Sequence, residues 1–142
     1  MKRKTLYIIL CAVCVLILTA AGMVAAKHMR KHRIDVAADQ MFGWLVHGDA
    51  ESLWRVMADG QKRAYLAQYN SQEEALRHIH DTGRTYDGIV GHKIVWTVVV
   101  GKEATVTFQI EHPGAIGTIK SHFFMKLIET NGKWLMKDAR SE

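Results

Sequence analysis

Hydrophobic and polar positions change rhythm twice along this chain. Leu6 to Ala26 runs 21 residues without a charge, between a short positive head, Met1-Lys2-Arg3-Lys4, and the basic stretch Lys27 to Arg33. As a helix at about 1.5 Å per residue, the run spans about 31 Å, close to the roughly 30 Å hydrocarbon thickness of a bilayer. From Ile34 the apolar positions recur at helical spacing: Ile34, Ala37/Ala38, Met41 and Trp44/Leu45 form one stripe, with Asp35, Asp39 and Gln40 off it.

Punctuation then divides the helical part. Gly48 suits a helix end, and Asp49 is an N-cap candidate for a second helix through Leu53, Trp54, Val56 and Met57. Asp59-Gly60 reads as a break, after which Arg63 to Tyr69 is a further helical piece. Ser71-Gln-Glu-Glu74 is a capping box opening a helix to about His80. Asp81 to Gly88 is polar and aperiodic, and reads as a loop.

The period then falls to two. Ile89 to Val100 predicts a strand with Ile94, Trp96, Val98 and Val100 on one face, turned by Gly101-Lys102. Ala104, Val106, Phe108 and Ile110 alternate with Thr105, Thr107, Gln109 and Glu111. His112 to Gly117 reads as a longer turn. A third strand follows over Thr118 to Glu129, with Phe123, Met125 and Leu127 opposite His122, Phe124 and Lys126. Asn131-Gly132 is a hairpin signal, because a two-residue type I′ turn needs positive φ at both positions. Lys133 to Asp138 completes the set with Trp134 and Met136 facing in. Helices first and hairpin-linked strands after them predict an α+β domain: an N-terminal transmembrane helix, then a cone of about three helices on a curved four-stranded antiparallel sheet. The division expected is residues 1–33 as anchor or signal and residues 34–142 as the domain.

Charge sharpens that division. The formal net charge is +5, yet residues 1–33 hold seven Lys/Arg and no acid. Residues 34–142 hold twelve Lys/Arg against fourteen Asp/Glu, a net charge of −2. The domain therefore lacks the positive balance that counterion release on nucleic acid requires, and nucleic acid is not expected as a partner. Lys27, Arg30, Lys31 and Arg33 read as a membrane collar facing lipid headgroups. Val24-Ala25-Ala26 also offers the small residues of a cleavage site, so a secreted domain released after Ala26 is the alternative. Both cysteines, Cys11 and Cys14, lie in the apolar run, where thiols behave as small apolar side chains.

Three stretches carry a resemblance. Leu45-Val-His-Gly-Asp-Ala-Glu-Ser-Leu53, Glu103-Ala-Thr-Val-Thr-Phe-Gln-Ile110 and Leu127-Ile-Glu-Thr-Asn-Gly-Lys-Trp-Leu-Met-Lys-Asp138 are, in that order, similar to nuclear-transport-factor-2-like (cystatin-like cone) domains, and most of all to small membrane-anchored bacterial envelope members. The resemblance covers about Ile34 to Asp138. It implies either a pocket enzyme of isomerase, dehydratase or hydrolase type, or a binding and assembly module that pairs through its sheet.

A pocket enzyme of that kind wants a carboxylate or His base and an oxyanion donor aimed into the cone. Asp39, Tyr65 and His122 are the catalytic candidates, with Tyr69, Tyr86 and His92 also of suitable type. Trp44, Trp54, Tyr65 and Tyr69 are the ligand-pocket candidates, although helical spacing suits them equally to core packing. No carboxylate pair or His–Asp–Tyr set is recoverable from spacing. His78/His80 are i, i+2, and His28/His32 are ringed by cations, so no metal and no cofactor is expected. The reading is an extracytoplasmic binding or assembly module, tethered by a single pass in the cytoplasmic membrane. Its expected partners are membrane lipid, and an envelope protein or second copy at the sheet. A small-molecule or pocket-enzyme role is the alternative.

Overall fold

The computed structural model describes residues 2–141, with side chains for residue 9 and for residues 11–141. The side chains of the positive head, Lys2, Arg3 and Lys4, lie outside the described residues. The chain divides into two compact units, residues 1–33 and 34–142. In the first, every described residue belongs to α1 (Lys2–Val46). Among the described residues one helix, Cys11–Val46, is long and apolar enough to cross a membrane, and its apolar stretch is wholly exposed.

The second unit begins with the last turns of α1 and continues through α2 (Ala50–Val56), α3 (Asp59–Tyr69) and α4 (Gln72–Arg84). Side-chain caps set two of these starts. Asp49 accepts from the Ser52 backbone N–H at 3.1 Å, and Ser71 Oγ accepts from the Glu74 N–H at 3.2 Å. Two expectations shift here. Asp59-Gly60 opens α3 rather than breaking the chain, and α4 runs to Arg84 rather than stopping near His80. The extension past His80 has a packing reason: His80 Nδ1 lies 3.0 Å from the Gly48 carbonyl oxygen, tying α4 to the turn after α1.

Four strands follow: β1 (Gly91–Val100), β2 (Glu103–Gly114), β3 (Gly117–Thr130) and β4 (Lys133–Ser141). They pair antiparallel in chain order, β1-β2-β3-β4. Asn131 and Gly132 both have positive φ, 51° and 75°, as the type I′ turn requires. The longer turn expected at 112–117 is instead a tight one: Gly114 pairs with Gly117 and only Ala115 and Ile116 lie between. β1 also departs from strict alternation. A bulge between Ile94 and Trp96 pairs Ile94 with inward-facing Phe108 and Trp96 with outward-facing Thr107. The two residues expected on one face are therefore on opposite faces, because a bulge inserts one unpaired residue and reverses the side-chain phase beyond it.

The core lies between the helices and one face of the sheet. Phe42, Phe108 and Phe123 are fully buried at its centre. Phe42 stacks on Phe108 with ring centroids 4.7 Å apart and meets Phe123 edge-on at 5.2 Å, favoured arrangements for aromatic rings. Ile34, Ala38, Met41 and Leu45 extend this face along α1, and Met125, Leu127 and Met136 extend it along the sheet. Ala58 donates its N–H to the Met136 carbonyl oxygen at 2.8 Å, which closes the helical layer onto β4.

Candidate functional site

A cleft of about 260 Å³ opens where the end of α1 passes the start of β1. One wall is Phe42, Gly43, Val46 and His47; the other is Ile89, Val90, Gly91 and His92. Helical spacing explains the first wall, since Phe42, Gly43 and Val46 lie within about one turn of each other. The second wall follows from strand entry: the Val90 N–H donates to the Glu111 carbonyl oxygen at 2.9 Å, and Gly91 pairs with Glu111.

His92 is the best-defined polar group there. Its Nε2 stands 2.9 Å from Asp39 Oδ1, one turn earlier on α1 than the cleft wall. Its ring lies 4.8 Å from that of Phe42 and 6.2 Å from that of Phe108. At neutral pH a carboxylate only accepts, so Nε2 carries the proton and donates to Asp39. The Asp39 side chain is 59% exposed and that of His92 is 35% exposed, so solvent screening makes this contact an orienting one more than a stabilising one. A second bond along the same helix runs from Thr97 Oγ1 to Asp35 Oδ1 at 2.6 Å.

The other catalytic candidates stand elsewhere. Tyr65 is on α3 in an aromatic group: its ring is 6.3 Å from that of Trp54 and 6.0 Å from that of Tyr69, which stacks on His78 at 4.6 Å. Burial, then the neighbouring Tyr69 and then Asp138, hold the Tyr65 phenol above its ordinary pKa. His122 is exposed on β3 opposite Gln109, on the outer face of the sheet. Asp39, Tyr65 and His122 therefore occupy three separate places. Trp54, Tyr65 and Tyr69 come together as an aromatic group, with Tyr65 edge-on to Trp54 and stacked on Tyr69, and Trp44 packs half-buried against the core. None of these four lines the cleft. Among the described residues no group of three or more His, Cys, Asp or Glu is placed to hold a metal ion.

Outside, the sheet presents an apolar edge region. Trp96 is 67% exposed, and Val98 and Val100 follow it on the same face of β1. Thr107 of β2 and half-buried Phe124 of β3 continue the row from Trp96. Sequence reasoning placed Trp96 with Ile94 because alternation carries no signal for the bulge.

A helical layer over the concave face of a four-stranded meander is also the arrangement of known structures. No protein-family model matches the chain, and no curated protein matches it. The designed NTF2 protein Rd1NTF2_04 with long sheet is similar at 16% identity over 74% of this chain and 95% of its own, with a TM-score of 0.51. This domain has the nuclear-transport-factor-2-like fold. A five-substitution variant of a second design, Rd1NTF2_05, is similar at 11% identity, covering 82% of this chain and 98% of that one, also with a TM-score of 0.51. A Campylobacter jejuni protein given the provisional name of NTF2-like transpeptidase is similar at 17% identity over 72% of this chain and 94% of its own, with a TM-score of 0.48. In this chain the middle of the nuclear-transport-factor-2-like cone is filled by Phe42, Phe108 and Phe123, and the cleft lies to the side of it.

Proposed function

We propose that this protein is a single-pass membrane-tethered binding or assembly module of a bacterial envelope, with its nuclear-transport-factor-2-like domain outside the cytoplasm. The observation that carries this reading is the helix Cys11–Val46, whose apolar stretch has no protein packed over it. An apolar surface of that length is satisfied by hydrocarbon and not by water. Lys27, Arg30, Lys31 and Arg33 follow it in the positions of a headgroup-facing collar. The partner, an envelope protein or a second copy of the chain, docks on the sheet's outer face around Trp96, Val98 and Val100.

Two measurements test the parts separately. In the native host the full chain should resist alkaline carbonate extraction, and protease added to spheroplasts should degrade the domain. Release by carbonate, or an N-terminus beginning at Lys27, would replace the tether with a secreted domain. A photo-crosslinking residue at Val98 should trap one defined partner, while the same residue at Glu73, on α4, should not. Equal, diffuse products from both positions would remove the sheet face as the docking surface.

A further inference from the structure

We infer that the cleft between α1 and β1 is a binding site for a small, mostly apolar molecule carrying one hydroxyl group, an alcohol or a phenol. The site is separate from the sheet's outer face and does not depend on the tether, so its test stands apart from that of the docking function.

The first argument is the space itself. Gly43 sits inside a helix, where glycine is less favourable than alanine by about 1 kcal/mol. A Cβ on Gly43 would meet nothing within 4 Å, so packing does not demand the glycine. Across the cleft a Cβ on Gly91 would meet only Glu111 Oε2, at an ordinary 3.6 Å. Two walls therefore lack side chains that the fold has room to accept, and the volume they leave open is the cleft. At about 260 Å³ it is slightly below the roughly 300–1,000 Å³ usual for ligand pockets, which limits the occupant to about one ring with a short tail.

The second argument is the chemistry of the walls. Val46, Ile89 and Val90 provide apolar contact. His92 supplies the directional group. With Nε2–H committed to Asp39, an imidazole that carries one proton presents Nδ1 as a lone pair. Among the described residues Nδ1 has no hydrogen-bond partner, and Asp39, which holds the opposite edge of the ring, does not line the cleft. The complement of that lone pair is a donor. Charge narrows the donor further. Asp39, bonded to His92, and Glu111, whose Oε2 lies near Gly91, both stand beside the cleft, and these carboxylates disfavour an anionic head. A hydroxyl group donates to Nδ1 without bringing charge.

The test uses the full chain in lipid nanodiscs with ¹⁵N-labelled histidine, following the His92 ring nitrogens by NMR. The probe is 4-propylphenol, with propylbenzene and 4-propylbenzoate as comparisons and free concentrations corrected for partition into lipid. Free protein should show the Nε2–H tautomer at His92. The phenol should shift Nδ1 saturably, and both comparison compounds should bind at least tenfold more weakly. Gly43→Leu, which fills the cleft with a better helix former, should abolish the shift and leave the unfolding temperature at or above that of the parent. The inference is overturned if free His92 carries its proton on Nδ1, if propylbenzene binds as well as the phenol, or if a folded Gly43→Leu keeps the phenol response. The tautomer and the phenol-to-propylbenzene ratio are read on the unmodified chain, so they decide the matter even if the variant does not fold.

Discussion

Gly83 on α4 passes so close to Gly48 that a Cβ on Gly83 would lie 2.8 Å from Gly48 Cα and would collide with the Leu45 carbonyl oxygen. The obstructing atoms are backbone and cannot swing aside. Gly48 itself has φ +68°, the left-handed conformation that ends α1. This approach, together with the His80–Gly48 contact, seats α4 against the turn between α1 and α2.

Gly83→Ala should therefore destabilise the domain despite alanine's better helix propensity. Overpacking of this kind costs about 1–3 kcal/mol. Urea unfolding followed by tryptophan fluorescence checks it, with Gly60→Ala as the comparison. Gly60 lies in a helix with nothing within 4 Å of an added Cβ, so that variant should be neutral or slightly stabilised. Equal midpoints for the two variants would remove the close approach as a constraint.

Phe42→Ala and Trp96→Ala should separate core from surface. Phe42 is fully buried between Phe108 and Phe123, and deleting its ring should destabilise by about 3–5 kcal/mol. Trp96 is the larger side chain but is exposed, and its loss should leave stability within about 0.5 kcal/mol. The second substitution should act on partner capture alone, read by the Val98 crosslink yield.

Alkaline titration should single out Tyr65. Burial raises its pKa above 10, so the folded state holds the neutral phenol more firmly than the unfolded chain does. The resulting stability is fully present below about pH 10, the unfolded value, and is lost as pH rises through the higher folded one. Tyr65→Phe should flatten the fall in unfolding midpoint above pH 10. In ultraviolet difference titration the tyrosine that ionises at the higher pH should disappear from the variant.

Asp49 should work in the opposite direction. Its hydrogen bonds with Ser52, side chain and backbone, hold its carboxyl below the ordinary 3.8. The stability it contributes is present above the unfolded pKa and lost as pH falls through the folded one. Asp49→Asn should keep an N-cap, since asparagine caps about as well, yet lose this acid dependence. Asp49→Ala should lower the midpoint at neutral pH as well. Melting curves at pH 7 and in steps below pH 4 distinguish the three proteins.

Local rules reached most of the fold. Asp49 and Ser71 were legible as caps because a side chain one to three residues away satisfies a free backbone N–H, and sequence distance there equals spatial distance. Asn131-Gly132 was legible because few residue pairs accept two positive φ values in succession. Alternation in β2 and β3 showed which face is buried, and Phe123, Met125 and Leu127 are on it. Phe42 was missed. It adjoins Met41 on the buried stripe of α1, and helical spacing alone does not say that the stripe is wide enough to hold both.

The cleft was not legible at all. Asp39 and His92 were each of suitable type, but 53 residues separate them, and nothing in either neighbourhood names the other. Gly43 carries no local signal of the open space beside it.

By itself, the sequence determined the bilayer-length apolar run, the charge contrast between its flanks and the domain, the helix caps, the hairpin turns and hence the α+β order. Those features depend on interactions within a few residues or on composition. Only tertiary structure decided that β1 bulges and turns Trp96 outward, that α4 runs on to press Gly83 against Gly48, and that His92 is held by Asp39 over an unfilled space. Each of these depends on how a sheet and its helices meet between residues far apart in sequence, where close packing, not local preference, selects the geometry.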